Sequence, residues 1–105
     1  MKKIYQKLVR DRIPEVITDA GLPFATRTVT DQELTGYAFK KLQEEVQEFI
    51  ENPCAEEAAD IMEIFHFICD RLKIRDTEIM AETTSKRCRR GGFNKGIILE
   101  WVEEE

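Results

Sequence analysis

Residues 31–72 read DQELTGYAFKKLQEEVQEFIENPCAEEAADIMEIFHFICDRL. On both sides of Asn52-Pro53, apolar residues recur every three or four positions, which is the spacing of an amphipathic helix. The pattern predicts helices over 31–51 and 53–72. Asn52 would be the N-cap of the second helix and Pro53 its first residue. Because the connection is so short, we expect the two helices to form an antiparallel hairpin.

The sequence outside this hairpin predicts shorter elements. Thr30 and Glu33 have the spacing of a capping box, which places the start of the first long helix directly after Thr30. The other elements, in chain order, are a short helix from Ile13-Pro14 that ends before Gly21, a strand over 24–29, a helix over 77–90 that starts at Asp76 or Thr77 and ends at Gly91-Gly92, and a strand over 97–102. The predicted fold class is therefore all-α, with short terminal β segments.

Length and composition restrict the class of protein. The chain has 105 residues, 42% apolar and 35% charged, which suits a single domain over residues 1–105. No apolar run approaches the roughly 18 residues of a membrane span, and the sequence begins without the apolar core of a signal peptide. The three cysteines form no CxxC pattern, so we expect a cytoplasmic protein with reduced thiols and no membrane partner. A net charge of −5 argues against a nucleic-acid polymer as a partner.

The apolar faces of the two long helices are wider than one hairpin can cover. A chain of about 100 residues buries only about 60–68% of the surface that its unfolded form exposes. We therefore predict a homodimer or homotetramer, in which the helices of a second copy complete a four-helix bundle.

Four carboxylates interrupt or border these apolar faces. They are Glu45 and Glu48 on the first long helix and Glu57 and Asp60 on the second. At about 100° per residue, Glu45 and Glu57 fall within the apolar arcs, and each has its partner three residues later on the same side. Two like charges about 5 Å apart repel by roughly 3 kcal/mol at an effective dielectric constant near 20. No Lys or Arg is expected on either helix at this level, so Mg²⁺ or Mn²⁺ bound by oxygen ligands is the natural compensation. The alternative is that Glu45 and Glu57 reach solvent past a thin apolar edge.

A basic cluster lies between residues 86 and 95, which include five Lys or Arg and no acidic residue. Lys86 and Arg90 share one helix face, and Lys95 follows Gly91-Gly92. These cations and the backbone N–H groups of the glycines suit phosphate oxygens, so Lys86, Arg90 and Lys95 are the predicted substrate-binding residues. The alternative is that Gly91 caps the helix and the basic side chains complement its C-terminal dipole.

Several short motifs resemble those of a known enzyme family. EEVQE at 44–48 and EAAD at 57–60 resemble the EExxE…ExxD signature of the MazG-like all-α nucleotide pyrophosphohydrolases. KLVRDRIP at 7–14 and RGGFNKG at 90–96 are similar to stretches of a phosphoribosyl-ATP pyrophosphohydrolase-like subgroup. The resemblance implies a helical, oligomeric enzyme that hydrolyses a nucleoside triphosphate between the α and β phosphates, giving a monophosphate and pyrophosphate.

The same resemblance implies roles for individual residues. The Mg²⁺ ligands would be Glu45, Glu48, Glu57 and Asp60. Apart from the resemblance, the chemistry requires a proton acceptor for the attacking water, and Glu44 or another carboxylate could fill that role. Because the spacing between Glu48 and Glu57 is short, the loop that often shapes a base pocket is missing. The sequence therefore leaves open whether the nucleotide is an ordinary or damaged nucleoside triphosphate or phosphoribosyl-ATP.

A function of a different class competes with this hypothesis. The chain would then be a non-catalytic helical interaction module whose acidic face binds a basic partner. Such a module should carry its carboxylates on an exposed face, whereas Glu45 and Glu57 interrupt apolar arcs.

Overall fold

The computed structural model describes residues 1–105, which form four α-helices and no β-strand. The helices are α1 (Ile13–Asp19), α2 (Asp31–Glu51), α3 (Ala55–Arg71) and α4 (Asp76–Arg90). The predicted all-α class is confirmed. The chain divides into two compact units, Met1–Lys73 and Ile74–Glu105.

The start of α2 is the predicted capping box. The Thr30 hydroxyl accepts a hydrogen bond from the Glu33 backbone N–H at 3.2 Å, and the Glu33 carboxylate accepts one from the Thr30 backbone N–H at 3.2 Å. These two bonds satisfy donors that the first turn of a helix otherwise leaves without partners. Hydrogen bonds from the Thr30 backbone and hydroxyl, with the nearby Arg27, hold the pKa of Glu33 below its ordinary value.

The turn between α2 and α3 differs from the prediction. Asn52 closes α2, because its backbone N–H donates to the Glu48 carbonyl at 2.9 Å. Its side-chain amide lies 3.8 Å from the Cys54 sulfur instead of capping the next helix. Cys54 is the N-cap of α3, which begins at Ala55. The prediction of Asn52 as N-cap and Pro53 as first helical residue was therefore wrong, because the last turn of α2 already uses Asn52.

The hairpin is antiparallel, as predicted, and Arg71 fixes its register. The Arg71 guanidinium, at the end of α3, donates to the Asp31 carboxylate at 3.2 Å and the Asp31 carbonyl at 3.0 Å. It also donates to the Thr35 hydroxyl at 3.3 Å. Between α2 and α3 only a small apolar core is buried, namely Ala38, Ile68 and Cys69. The register that sets Arg71 beside Asp31 also brings acidic residues of α2 and α3 together, closer to the turn that joins the two helices.

The two predicted terminal β segments are absent. Residues 24–29 and 97–102 contain no strand, so this part of the fold prediction was wrong. A strand needs a neighbour that accepts and donates its backbone hydrogen bonds, and neither segment has one within the chain. The composition of each segment favours β-structure, but composition alone supplies no partner.

In the second unit, α4 spans Asp76–Arg90, and Gly91 is its C-cap. Gly91 has a φ of 80°, which favours glycine, and its backbone N–H donates to the Arg87 carbonyl at 2.8 Å. None of the α4 residues is buried. Across the chain, no helix combines the length and apolar character that crossing a membrane requires.

Candidate metal centre

The hairpin brings together the four carboxylates predicted from the sequence. One oxygen from each of Glu45, Glu48, Glu57 and Asp60 lies within 4.8 Å of the others. We call these four residues the carboxylate cluster. The cluster forms because positions three residues apart share a helix face, and the antiparallel register sets the two pairs against each other.

Burial makes this cluster unusual. The Glu45 residue is only 5% exposed, and its Oε2 atom has no hydrogen-bond partner. The Oε2 atom of Glu57 is also buried and without a partner. Leaving a buried polar atom unpaired is costly, and native proteins contain few such atoms. Two unpaired carboxylate oxygens in one all-oxygen cluster have the chemistry of a site for a hard cation.

Lys41 was missed as a partner of these acidic residues. Its ammonium lies 3.0 Å from the Glu45 Oε1 atom and 3.4 Å from the Glu44 Oε1 atom. The expectation that neither helix carries a cation at this level was therefore wrong, because a lysine reaches the next turn of its own helix. Partial burial alone would lower the pKa of Lys41, but the two carboxylates outweigh it and raise that pKa.

The N-terminal segment supplies two more cations. The Lys7 ammonium lies 2.7 Å from Glu44 Oε1, and Arg10 Nη2 lies 2.7 Å from Asp60 Oδ1. The sequence marked KLVRDRIP as a motif but gave it no mechanism, since residues 1–12 have no periodicity that orients a side chain. The available signal was electrostatic: an acidic hairpin needs cations from another part of the chain.

The pKa values of two glutamates on α2 shift in opposite directions. Partial burial raises the pKa of Glu48, and the Glu45, Glu44 and Glu57 carboxylates raise it further. For Glu44, burial acts in the same direction, but Lys7 and Lys41 outweigh it and lower the pKa. Glu44 therefore stays ionised, and its two ion pairs make it a weak base.

The predicted substrate-binding residues lie in the second unit. Lys86 and Arg90 are exposed on α4, and Lys95 is exposed in the segment after it. None of the three forms an ion pair or side-chain hydrogen bond, so their cationic groups face solvent. The backbone N–H of Gly91 is engaged by Arg87, which confirms Gly91 as a helix cap and removes that group as an anion donor.

Comparison of the chain with protein-family models, with curated proteins and with solved structures found no match. The family resemblance therefore rests on the short motifs alone.

Proposed function

We propose that this chain is a Mg²⁺-dependent nucleotide pyrophosphohydrolase. It would hydrolyse a nucleoside triphosphate, or phosphoribosyl-ATP, between the α and β phosphates, giving a monophosphate and pyrophosphate. The observation that carries the proposal is the carboxylate cluster, in which the buried Oε2 atoms of Glu45 and Glu57 lack partners.

The carboxylate cluster is the proposed binding site for Mg²⁺ or Mn²⁺. All four side chains offer only oxygen, which suits these hard ions and disfavours softer metals. When bound, such an ion polarises a phosphate oxygen and lowers the pKa of a bound water. The protein's own part is to hold the four carboxylates close together on two packed helices.

Other residues receive proposed roles in binding and proton transfer. A triphosphate carries about four negative charges, so binding it requires cationic groups as well as a metal ion. Lys86, Arg90 and Lys95 are candidates because their charges are exposed and unpaired. Glu44 is the candidate proton acceptor because it stays ionised, and its ion pairs with Lys7 and Lys41 would have to loosen before it could take up a proton.

The burial of the cluster carboxylates fits the competing hypothesis, an interaction module, less well. A face that binds a basic partner should present its charges to solvent, because charges at the rim of an interface steer association. Glu45 is instead nearly fully buried, and Glu57 turns one oxygen away from solvent. These two residues favour a small cation over a protein partner.

We further propose that the enzyme is a homodimer or homotetramer in which a second hairpin completes a four-helix bundle. On α2 and α3, large apolar side chains stay exposed, including Phe39, Ile50, Met62 and Phe65. A second copy of this hairpin would cover them. Light scattering should give a dimer or larger at micromolar concentration, and a monomer would contradict this.

One assay tests the reaction. The protein is incubated with a panel of nucleoside triphosphates and phosphoribosyl-ATP, with Mg²⁺ or with EDTA, and pyrophosphate and orthophosphate are measured separately. We expect Mg²⁺-dependent release of pyrophosphate and the matching monophosphate. Release of orthophosphate alone would indicate a different phosphatase chemistry, and no release from any substrate would favour the interaction module.

A further inference from the structure

Two cationic side chains reach the border of the carboxylate cluster from a segment that is neither helix nor strand. Lys7 pairs with Glu44 on α2, and Arg10 pairs with Asp60 on α3, both at 2.7 Å. The residues between them are too few to form a helix of their own, yet the segment places one cation beside each helix of the hairpin.

The ion pair with Asp60 engages only part of the Arg10 guanidinium. Its side chain is 54% exposed, and a single Nη2 bond to Asp60 is its one polar contact. A guanidinium carries five N–H donors in a planar fork, so four remain without a hydrogen-bond partner in the protein. Lys7 is 34% exposed, and its ammonium also lies 5.3 Å from the centre of the Tyr5 ring. Both cations can therefore accept a ligand from solvent without rearrangement of the helices.

The charge balance changes when a cation occupies the cluster. Glu44 and the four cluster residues carry five formal negative charges, against three positive charges from Lys7, Arg10 and Lys41. The resulting charge of −2 repels an anion, and one divalent ion cancels it. An ion held there would compete with Arg10 for Asp60 and would weaken the hold of Asp60 on the guanidinium.

We propose that Lys7 and Arg10 form an anion site for the phosphate groups of a di- or triphosphate, which becomes available when the carboxylate cluster holds a divalent cation. This inference rests on the proposed function, because it requires the cluster to bind Mg²⁺ or Mn²⁺. Arg10 provides the bidentate fork that matches phosphate oxygens, and Lys7 provides a point charge beside it. The site lies within the first unit and does not depend on Lys86, Arg90 or Lys95.

A purely structural role for the two cations makes different predictions. If Arg10 only fastens the N-terminal segment to α3, its removal should lower folding stability and leave anion binding unchanged. If it competes with the metal for Asp60, its removal should leave metal affinity equal or raise it. The two roles are therefore separated by binding measurements without any assay of turnover.

The test compares Arg10→Gln with Arg12→Gln. Both variants lose one positive charge from the same segment, but Arg12 is exposed and its side chain makes no capping bond. Mn²⁺ binding is measured by electron paramagnetic resonance without other ligands. Binding of imidodiphosphate, a pyrophosphate analogue with a bridging nitrogen, is measured by calorimetry in excess Mg²⁺, and circular dichroism checks the helix content of each variant.

We expect Arg10→Gln to bind Mn²⁺ at least as tightly as the unmodified chain does. Its affinity for imidodiphosphate should fall about 10-fold or more, because a hydrogen bond between charged groups contributes about this factor. Arg12→Gln should match the unmodified chain in both. The inference is overturned if Arg10→Gln binds imidodiphosphate as tightly as the unmodified chain does. It is also overturned if the unmodified chain binds Mn²⁺ but does not bind imidodiphosphate. Both outcomes leave the proposed function standing. If the unmodified chain binds no Mn²⁺, the proposed function and the inference both fail.

Discussion

The two ends of the α2–α3 hairpin both place charged side chains between the helices, but they treat those charges differently. At one end, the Arg71 guanidinium makes three hydrogen bonds, to the carboxylate and carbonyl of Asp31 and to the Thr35 hydroxyl. At the other end, Glu45 and Glu57 each keep a buried oxygen without a partner. We call these the closed end and the acidic end. Most buried charges that serve only the fold are satisfied within it, which is why the proposed function assigns a ligand to the acidic end.

Removing a carboxylate from the acidic end should have the largest effect. Glu57→Gln should lower kcat/KM for pyrophosphate release by about 100-fold or more, because a neutral amide oxygen attracts a divalent cation far less than a carboxylate does. The metal-free variant should be equally or more stable, since one charge leaves a repelling cluster. Steady-state kinetics and thermal unfolding in EDTA measure the two effects.

Glu56→Gln is the matched control for this prediction. Glu56 is exposed and lies about 100° around α3 from Glu57, so its loss should change little. Mild effects of both variants on activity would remove the metal assignment. A loss of several kcal/mol in the metal-free Glu57→Gln variant would instead show that Glu57 is paired for structure.

The stability lost on replacing Lys41 should depend on whether metal is bound, unlike that of any residue at the closed end. Lys41→Gln leaves Glu45 without its cation, and we expect a loss of about 2 kcal/mol in the metal-free protein, below the roughly 3–5 kcal/mol of a fully buried pair. Saturating Mn²⁺ should restore much of that loss, because the ion replaces the missing charge. Chemical denaturation with Mn²⁺ and with EDTA measures both values, and equal losses in the two conditions would contradict the prediction.

Arg71 should matter for stability alone. Arg71→Gln should lower the free energy of unfolding by about 1–2 kcal/mol, because it removes several charge-assisted bonds between the helices. Asp31→Asn should cost less, since that side chain is 91% exposed and the carbonyl and Thr35 contacts survive. Both variants should bind Mn²⁺ like the unmodified chain. A loss of Mn²⁺ binding in Arg71→Gln would show that the two ends are not independent.

The smallest effect concerns the cap beside the closed end. Glu33→Gln keeps a capping-box side chain but removes its charge. Because folding lowers the pKa of Glu33, its charge contributes stability above the unfolded-state value of 4.5, and this contribution is lost as the pH falls through the folded-state pKa. Thermal unfolding should therefore show a small advantage of the unmodified chain at about pH 7 that shrinks as the pH is lowered below 4.5. An advantage that persists in acid would assign it to hydrogen-bond geometry.

Periodicity explains what the sequence could predict. The spacing of apolar residues located α2 and α3 to within two residues and placed Glu45 on a buried face, and local start and stop residues located α4 and the Thr30 cap. These features depend on residues three or four apart in the chain, which a single sequence displays directly.

The errors arose where the outcome depends on distant residues. Lys7 and Arg10 reach Glu44 and Asp60 across 37 and 50 positions, and no spacing rule connects an irregular segment with a helix face. The absent strand at 97–102 has the same origin, because pairing depends on a neighbour that the segment's own residues do not specify. The dependence on long-range contacts therefore limited the prediction of the site more than the prediction of the helices.

The unpaired segment 97–102 also bears on how the protein behaves at high concentration. Its backbone N–H and C=O groups have no strand beside them, and Ile97, Ile98, Leu99 and Trp101 are at least 75% exposed. Short apolar segments with free edges are templates for intermolecular β-aggregation. Glu103, Glu104 and Glu105 follow directly, and repulsion between these charges on neighbouring copies should oppose such association, as charged gatekeeper residues do. Salt screens that repulsion and acid neutralises it, so colloidal stability should be greatest at low ionic strength and neutral pH.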